Sequence, residues 1–419
     1  MVRLDFPDDF PLKKKINAQS DLYTYFYIRA LRLLNPKGIH TFICSNSWLD
    51  VGYGAWLQEF LLQRCQVELI IDNHAKRSFE AADVNTIISV IHAPQKKVDQ
   101  NHPVKFVAFK MPFEEAIFTE NLLAIEDAGA VVSNDVFRVY PITVKDLQEA
   151  GMEYEHEGER KLDAGKYIGD KWGGKYLRAP DFFIKLIRTN RNIIKLSEVC
   201  KVDGYVHDNN TGNGFPKTHF IKSVKNTRII HLKKSHEGVI KYGVKNEGNS
   251  RVKSPILMAR TYGRDHLVIF NPEGIVGKEF YKIIPNKEEQ TKTLAAFANS
   301  TFFILERELF GLTNLGGGEL KFRGDDIGMF FLPCELAISD DVLLDSFFSR
   351  EIKSIFDECG IDVQSKIPIE EQEPKPLPDR AELDKIVFDA LNLTADERKE
   401  VYRAVCRLVW NRISKAKSV

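Results

Sequence analysis

Between Asp21 and Ile91 the chain switches repeatedly between two apolar periods, and that alternation restricts the fold more than any other property of the sequence. Asp21–Leu34 repeats apolar residues at helical spacing (Leu22, Phe26, Ala30, Leu33, Leu34) and stops at Pro36 and Gly38. Ile39–Cys44 is a short, apolar, β-rich run suited to a buried strand. Ala55–Leu62 is again helical, with Leu57, Phe60 and Leu61 inward. Val67–Ile71 and Val84–Ile91 read as strands around the polar loop Asp72–Asp83, and Val104–Phe109 adds another. Helices and strands in turn predict an α/β layer architecture, a sheet covered by helices.

The rest of the chain carries weaker periodicity. A helical, polar stretch runs to about Gly169, followed by short β-rich runs (Arg228–Leu232, Ile256–Ala259, Leu267–Phe270) broken by turns such as DNNTGNG. Thr291–Phe303 and Val342–Cys359 read as helices, and the proline-rich linker Ile367–Pro378 precedes a last helical pair. Three regions follow: an α/β domain over 1–165, a mixed α+β domain over 166–335 and a helical region over 336–419.

Charge is distributed unevenly. The formal net charge is zero, yet Lys166–Asp265 holds 21 Lys and Arg against 8 Asp and Glu. Between Glu335 and Glu400 the balance reverses to a net of about −10. A basic stretch of this length suits a polyanion, because neutralising phosphates releases counterions. The six cysteines show no CxxC and no Cys/His pair at zinc spacing, which fits buried reduced thiols and no metal. No apolar run is long enough for a membrane span and no signal segment opens the chain, so a cytoplasmic protein without a membrane partner is expected.

One arrangement imitates a nucleotide site. Gly52-Tyr53-Gly54 follows the strand Ile39–Cys44, and Asp72 ends the next strand. In a dinucleotide-binding unit the glycines follow the strand almost directly, whereas here several residues intervene.

The ordered series DLYTYFYIRALRLLNPKGIHTFICSNSWL, LQEFLL, VELIIDN and RSFEAADVNTIISVI resembles the second half of the catalytic domain in TaqI-like adenine-N6 DNA methyltransferases and in the methylase part of type IIG restriction–modification enzymes. YLRAPDFFIKL, GNSRVKSPILMARTYG and LGGGELKF are similar to that family's target-recognition domain, and LDKIVFDALNLTADERKEVYRAVCRLVWNRISKAKS to its closing helices. The resemblance implies a partial class I methyltransferase sheet, Rossmann-like, with S-adenosylmethionine as cofactor and double-stranded DNA as substrate. It matches Phe26 to an aromatic lying on the cofactor adenine, although a core phenylalanine has the same spacing. It matches Phe79, in the polar loop AKRSFEAAD, to an aromatic that stacks on the target adenine once that base leaves the duplex. Asn46, Ser47 and Trp48 then form a wall of the base pocket at the carboxyl end of a strand.

In that family a Phe-x-Gly-x-Gly-like loop and an (Asn/Asp)-Pro-Pro-(Tyr/Phe) tetrapeptide precede the first matched segment. Neither pattern occurs in these 419 residues, so no catalytic residue is assigned and methylation by this chain alone is not expected. The resemblance further implies that Ile39–Cys44, Val84–Ile91 and Val67–Ile71 lie side by side in that order. Ile39–Cys44 is then a bare edge that pairs with a separate N-terminal methylase subunit or with a second copy. Target reading falls to the basic region, with Lys175, Arg178, Lys217, Arg228, Arg251, Arg260, Arg264, Lys321 and Arg323 as phosphate or base contacts. Each alone is an ordinary surface charge; the cluster carries the expectation. Gly316–Gly318 is a turn, or less readily a phosphate cradle. Two other readings stay open: a non-catalytic DNA-binding scaffold, and a complete S-adenosylmethionine enzyme using Gly52–Gly54 and Asp72.

Overall fold

The computed structural model describes residues 20–76, 78–79, 84–153, 166–190, 192–204, 211–212, 214–245, 254–315 and 318–417. The chain divides into two compact units. The first runs to Ala179 and takes in short stretches at 314–317 and 414–419; the second holds Pro180–Thr313 and Gly318–Ile413.

The first unit is built on a six-stranded sheet. Its strands are β1 (Ile39–Ser45), β2 (Val67–Asn73), β3 (Thr86–His92), β4 (Pro103–Phe109), β5 (Val132–Ser133) and β6 (Phe137–Thr143). The order across the sheet is β1-β3-β2-β4-β6-β5. β3 runs antiparallel to both β1 and β2, β2 and β4 are parallel, and β6 is antiparallel to β4. β1 therefore lies at one edge, paired only with β3 among the described strands.

Two helices cover the β1 half of the sheet. α1 (Leu22–Leu33) buries Tyr27, Ile28 and Leu31, and the Tyr27 hydroxyl lies 2.8 Å from Ser89 Oγ on β3. α2 (Ala55–Arg64) is enclosed all round from Trp56 to Leu62, including Gln58 and Glu59. An enclosed polar side chain must find partners. The Gln58 carboxamide donates to Leu49 O at 3.1 Å and Asp170 O at 3.0 Å, and accepts from Tyr167 Oη at 3.1 Å and Asp170 N at 3.0 Å. Leu49, helix α2 and the segment 167–170 are thereby tied to one amide.

Asp50 makes a second tie. Its carboxylate accepts from Gly174 N at 3.0 Å and from Arg178 Nη1 at 2.9 Å, fixing the buried π-helical turn Gly173–Arg178. Beside this turn Trp172 packs edge-on to Trp48 and Phe106. The first unit runs on to Ala179, past the expected border at 165, because the segment 167–178, with its cations, packs within it.

Four expectations change. The stretch expected to be helical and polar before Gly169 contains β6, whose Phe137, Val139 and Ile142 are buried. Thr291–Phe303 is two helices, Thr291–Phe297 and Thr301–Phe310, because Asn299 leaves the helical path to bond both N and O of Val268 at 2.9 and 2.8 Å. Ser300 then caps the second helix at Phe303 N. Val342–Cys359 likewise divides into Asp341–Ser349 and Ile355–Cys359, with Arg350 in the break bonded to Glu358 at 2.7 Å. Arg228–Leu232 forms only isolated bridges at Ile229 and His231.

The second unit has a four-stranded antiparallel sheet in the order Cys200–Asp203, Phe280–Pro285, Ile256–Ala259, Val268–Phe270. It also has a three-stranded sheet in which β7 (Lys217–Ile221) lies between the antiparallel β8 (Ile240–Gly243) and the parallel Val276–Gly277, and another in which β10 (Glu319–Lys321) lies between β9 (Thr261–Tyr262) and Leu312–Leu315. The helix Thr301–Phe310 is buried at every position, and the closing helices Pro378–Ala390 and Ala395–Lys417 complete the tail.

Two predictions follow from this packing. Gln58→Leu strands the partners at Leu49, Tyr167 and Asp170 and should lower unfolding free energy by about 3 kcal/mol, read from urea denaturation; an unchanged midpoint would contradict the role given to the amide. The second concerns Glu68, which lies 3.0 Å from His92 and 3.3 Å from His102. His102 holds Glu68 down to about 2, and Glu68 raises His102 above its usual 6.5. The carboxylate's contribution is present above its ordinary 4.5 and is lost as pH falls towards about 2. The imidazole's is full below 6.5 and is lost as pH climbs through its raised value. Melting temperature against pH should fall on both flanks, and Glu68→Gln should flatten both.

Candidate functional site

In the first unit several polar turns converge at the carboxyl end of β1. Ser45 caps the short turn Asn46–Leu49 by accepting from Ser47 N at 3.3 Å. Asn46 N donates to Asn85 O at 3.0 Å, just before β3. Thr86, paired in register with Ser45, donates to Ser78 Oγ at 2.8 Å. Ser78 precedes Phe79, so the loop bearing Phe79 is pinned to the sheet end that holds Asn46 and Ser47. Phe79 is 46% exposed, an unusual state for an aromatic ring and a suitable one for stacking on a planar ligand.

Trp48 does not join this surface. It is fully buried, with ring centroids 5.8 Å from both Tyr27 and Trp172, and Asn46 is buried as well, whereas Ser47 is half-buried. Phe26 is 61% exposed on α1, which removes the alternative of a core phenylalanine. The glycine pair serves packing. A Cβ at Gly54 would lie 1.9 Å from Trp48 O, whereas Gly52 has open space. Asp72 is buried, with His74 Nε2 at 3.7 Å from its carboxylate. Sequence reading passed over Asn73, whose Oδ1 accepts from Ala75 N at 2.9 Å and Lys76 N at 3.0 Å and turns the chain into the Phe79 loop.

The expected DNA contacts separate into distinct groups. Lys175 and Arg178 face inward, Lys175 to Asp170 at 2.6 Å and Arg178 to Asp50 at 2.9 Å, so neither presents its cation to a ligand here. Arg251 lies outside the described residues. Arg228, Arg264 and Lys217 are exposed on the second unit, with Arg228 facing Asp265 at 3.9 Å. Arg260, Lys321 and Arg323 are brought together. β9 pairs with β10 so that Thr261 sits opposite Lys321, and Phe322 N donates to Arg260 O at 3.0 Å. Burial first, and then the neighbouring Arg260 and Arg323 charges, press the Lys321 ammonium towards losing its proton. Cations crowded to this degree favour an anion between them.

Beneath the pair lies a buried charge network that sequence reading missed. Tyr262 on β9 stacks on His266 at 5.5 Å and 3°, and the Arg307 guanidinium lies over the Tyr262 ring at 4.6 Å. Glu308 meets Arg412 from the last helix through two bonds of 2.7 and 3.0 Å. Burial alone would raise Glu308; Arg412 and His266 overcome it and hold the carboxyl down to about 2. Arg412 also donates to Gly318 O and, at 2.7 Å, to Gly263 O, the turns that enter β10 and leave β9. The run FFILERELF held the clue, because three consecutive charges in an apolar helix cannot all point outward.

The inward and outward cations should behave differently on mutation. Arg178→Ala leaves Asp50 buried without its counter-ion and should cost about 3 kcal/mol in stability. Arg323→Ala should change stability by less than about 0.5 kcal/mol. If DNA is the ligand, its affinity should fall only for the second variant; chemical denaturation and fluorescence anisotropy together test the separation.

Residues 8–79 match the family model described as Eco57I restriction-modification methylase. That methylase-like segment includes Phe26, Asn46, Ser47, Trp48 and Phe79. No curated protein matches. Among solved structures, the chain is similar to the type IIG restriction endonuclease BpuSI at 12% identity and TM-score 0.43, over 96% of this chain and 50% of that one. The type I restriction enzyme EcoKI M protein is matched at 16% identity and TM-score 0.21, over 35% of this chain and 33% of that one. The chain thus spans at most about half the length of either.

Proposed function

We propose that the chain is the DNA-recognition and base-capture portion of a site-specific adenine-N6 DNA methyltransferase of a restriction–modification system. It acts in the cytoplasm when methylase polypeptide outside these 419 residues supplies the cofactor loop and the catalytic tetrapeptide. The observation that carries this reading is Phe79: a half-exposed aromatic, within the segment matching the methylase family, pinned beside Asn46 and Ser47 at the carboxyl end of β1. N6 of adenine is unreachable inside the base stack, so the base must leave it, and an apolar ring offsets part of the lost stacking. Phe79 supplies that face, while Ser47, half-buried at the same end of β1, offers a hydroxyl; Asn46 is buried there. Arg260, Lys321 and Arg323 of the second unit hold the DNA backbone or guanine edges.

The edge of the sheet supports the two-part assembly. The order β1-β3-β2, with β3 reversed, is the order the family resemblance implies. Beside the free edge of β1, Ile39 and Ile43 are exposed, as are Leu22, Phe26 and Leu33 on α1. A strand from the completing polypeptide would pair with β1 and cover this apolar surface.

The described residues do not fit S-adenosylmethionine by themselves. Gly54 is closed against Trp48 O and Asp72 is buried beside His74, leaving Phe26 as the sole matched contact among those described. Calorimetry on the chain, with and without a mixed-sequence duplex, tests the assignment. Salt-sensitive DNA binding with no cofactor heat is expected. Micromolar cofactor binding by the chain alone would overturn the two-part account and return Gly52–Gly54 as a site.

A further inference from the structure

The hairpin β7–β8 has two chemically opposite faces. Thr218 and Phe220 on β7 and Ile240 and Tyr242 on β8 share one face by register, and Phe220 and Tyr242 stack at 5.4 Å in a small core with Val244 and Val276. Lys217, His219 and Lys241 lie on the other, with His219 directly opposite Lys241. Lys217 and Lys241 are exposed. Opposite Lys217 stands Gly243, where the backbone oxygens of Gly212 and Phe215, 2.0 and 2.8 Å from an added Cβ, take the place of a side chain. From Lys217 to Lys245 the sequence carries eight Lys and Arg against a single acid, Glu237.

The ribbon leads by main-chain bonds to the Arg260 cluster. Lys278 N donates to Ile221 O at 3.0 Å, Arg260 N to Glu279 O at 3.1 Å, and Phe322 N to Arg260 O at 3.0 Å. Neighbouring strands are spaced by about 4.8 Å, so these steps carry positive charge laterally from the hairpin to Arg323.

We infer that β7–β8 is a cationic ribbon that lies in the major groove of duplex DNA, with Lys217 and Lys241 on the flanking phosphates and His219 between them. This rests on the reading that the second unit binds DNA and names an element of that contact. Val276–Gly277 pairs with β7 only at Phe220 and Ile221, so the Lys217–His219 end is two-stranded, and a two-stranded ribbon fits a groove about 12 Å wide. The apolar face anchors the ribbon to the protein, and the opposite face is complementary in charge to the phosphates that border the groove. A-form RNA, whose major groove is deep and narrow, would not admit it.

Fluorescence anisotropy of the full chain on a mixed-sequence DNA duplex, across a salt series, tests the inference. Removing two phosphate contacts with Lys217→Ala and Lys241→Ala together should reduce the salt slope by about 2 and weaken binding roughly tenfold at low salt. The double variant Lys217→Arg and Lys241→Arg should restore both, and an unchanged unfolding midpoint excludes damage to the fold. If the parent chain binds DNA but the alanine variant keeps its slope, the ribbon assignment is wrong while DNA binding stands. Equal affinity for an RNA duplex would also overturn the groove placement. A parent chain that binds no DNA would remove both this inference and the reading beneath it.

Discussion

The first unit depends on a carboxamide enclosed in apolar surroundings. Gln58 sits in a helix buried from Trp56 to Leu62, where an unpaired polar group costs a large fraction of a domain's stability. It reaches Leu49 just beyond the first strand, and Tyr167 and Asp170 more than a hundred residues later. Those bonds fix where the chain returns after β6, and that return brings Asp170 to Lys175 and Asp50 to Arg178. Two cations that could have served a ligand are held in the interior instead. Trp48, trapped between Tyr27 and Trp172, follows from the same closure.

The second unit is held differently, by charge taken out of water. Replacing a buried ion pair with apolar groups is often neutral for stability, so such a pair is better explained by the geometry it imposes. Arg412 bonds Glu308 and the carbonyls of Gly263 and Gly318, and so fixes both turns beside the β9–β10 pair. Arg307 over Tyr262 supports the pair from below. The mutually repelling surface cations Arg260, Lys321 and Arg323 are carried on a frame stiff enough to keep them together.

Periodicity made the first three strands and two helices legible, because each buries one face or lies wholly inside, and apolar spacing reports that directly. β6 was hidden by Pro141 and by acids and lysines on either side, and only its pairing with β4 explains it. The break at Asn299 was hidden because its cause is Val268, a strand residue 31 positions earlier. Phe79 was legible as an aromatic in a polar loop, and it is half-exposed. The basic count could not separate Arg178 from Arg323, since the partner that draws Arg178 inward lies 128 residues away. Charge density is a local property of sequence, whereas burial of a charge depends on a distant counter-ion.

The reach of Arg412 bears on the order in which the protein becomes competent during synthesis. Tyr262 and Lys321 leave the ribosome well before the last helix, and domains fold as their residues emerge. Until residue 412 is available, Glu308 has no guanidinium in its site and the turns at Gly263 and Gly318 lack a common donor. A nascent chain therefore carries the basic strands without the clamp that sets their spacing. Its basic charge is present early, whereas the fixed spacing of the strands that carry it comes only once Arg412 has been made.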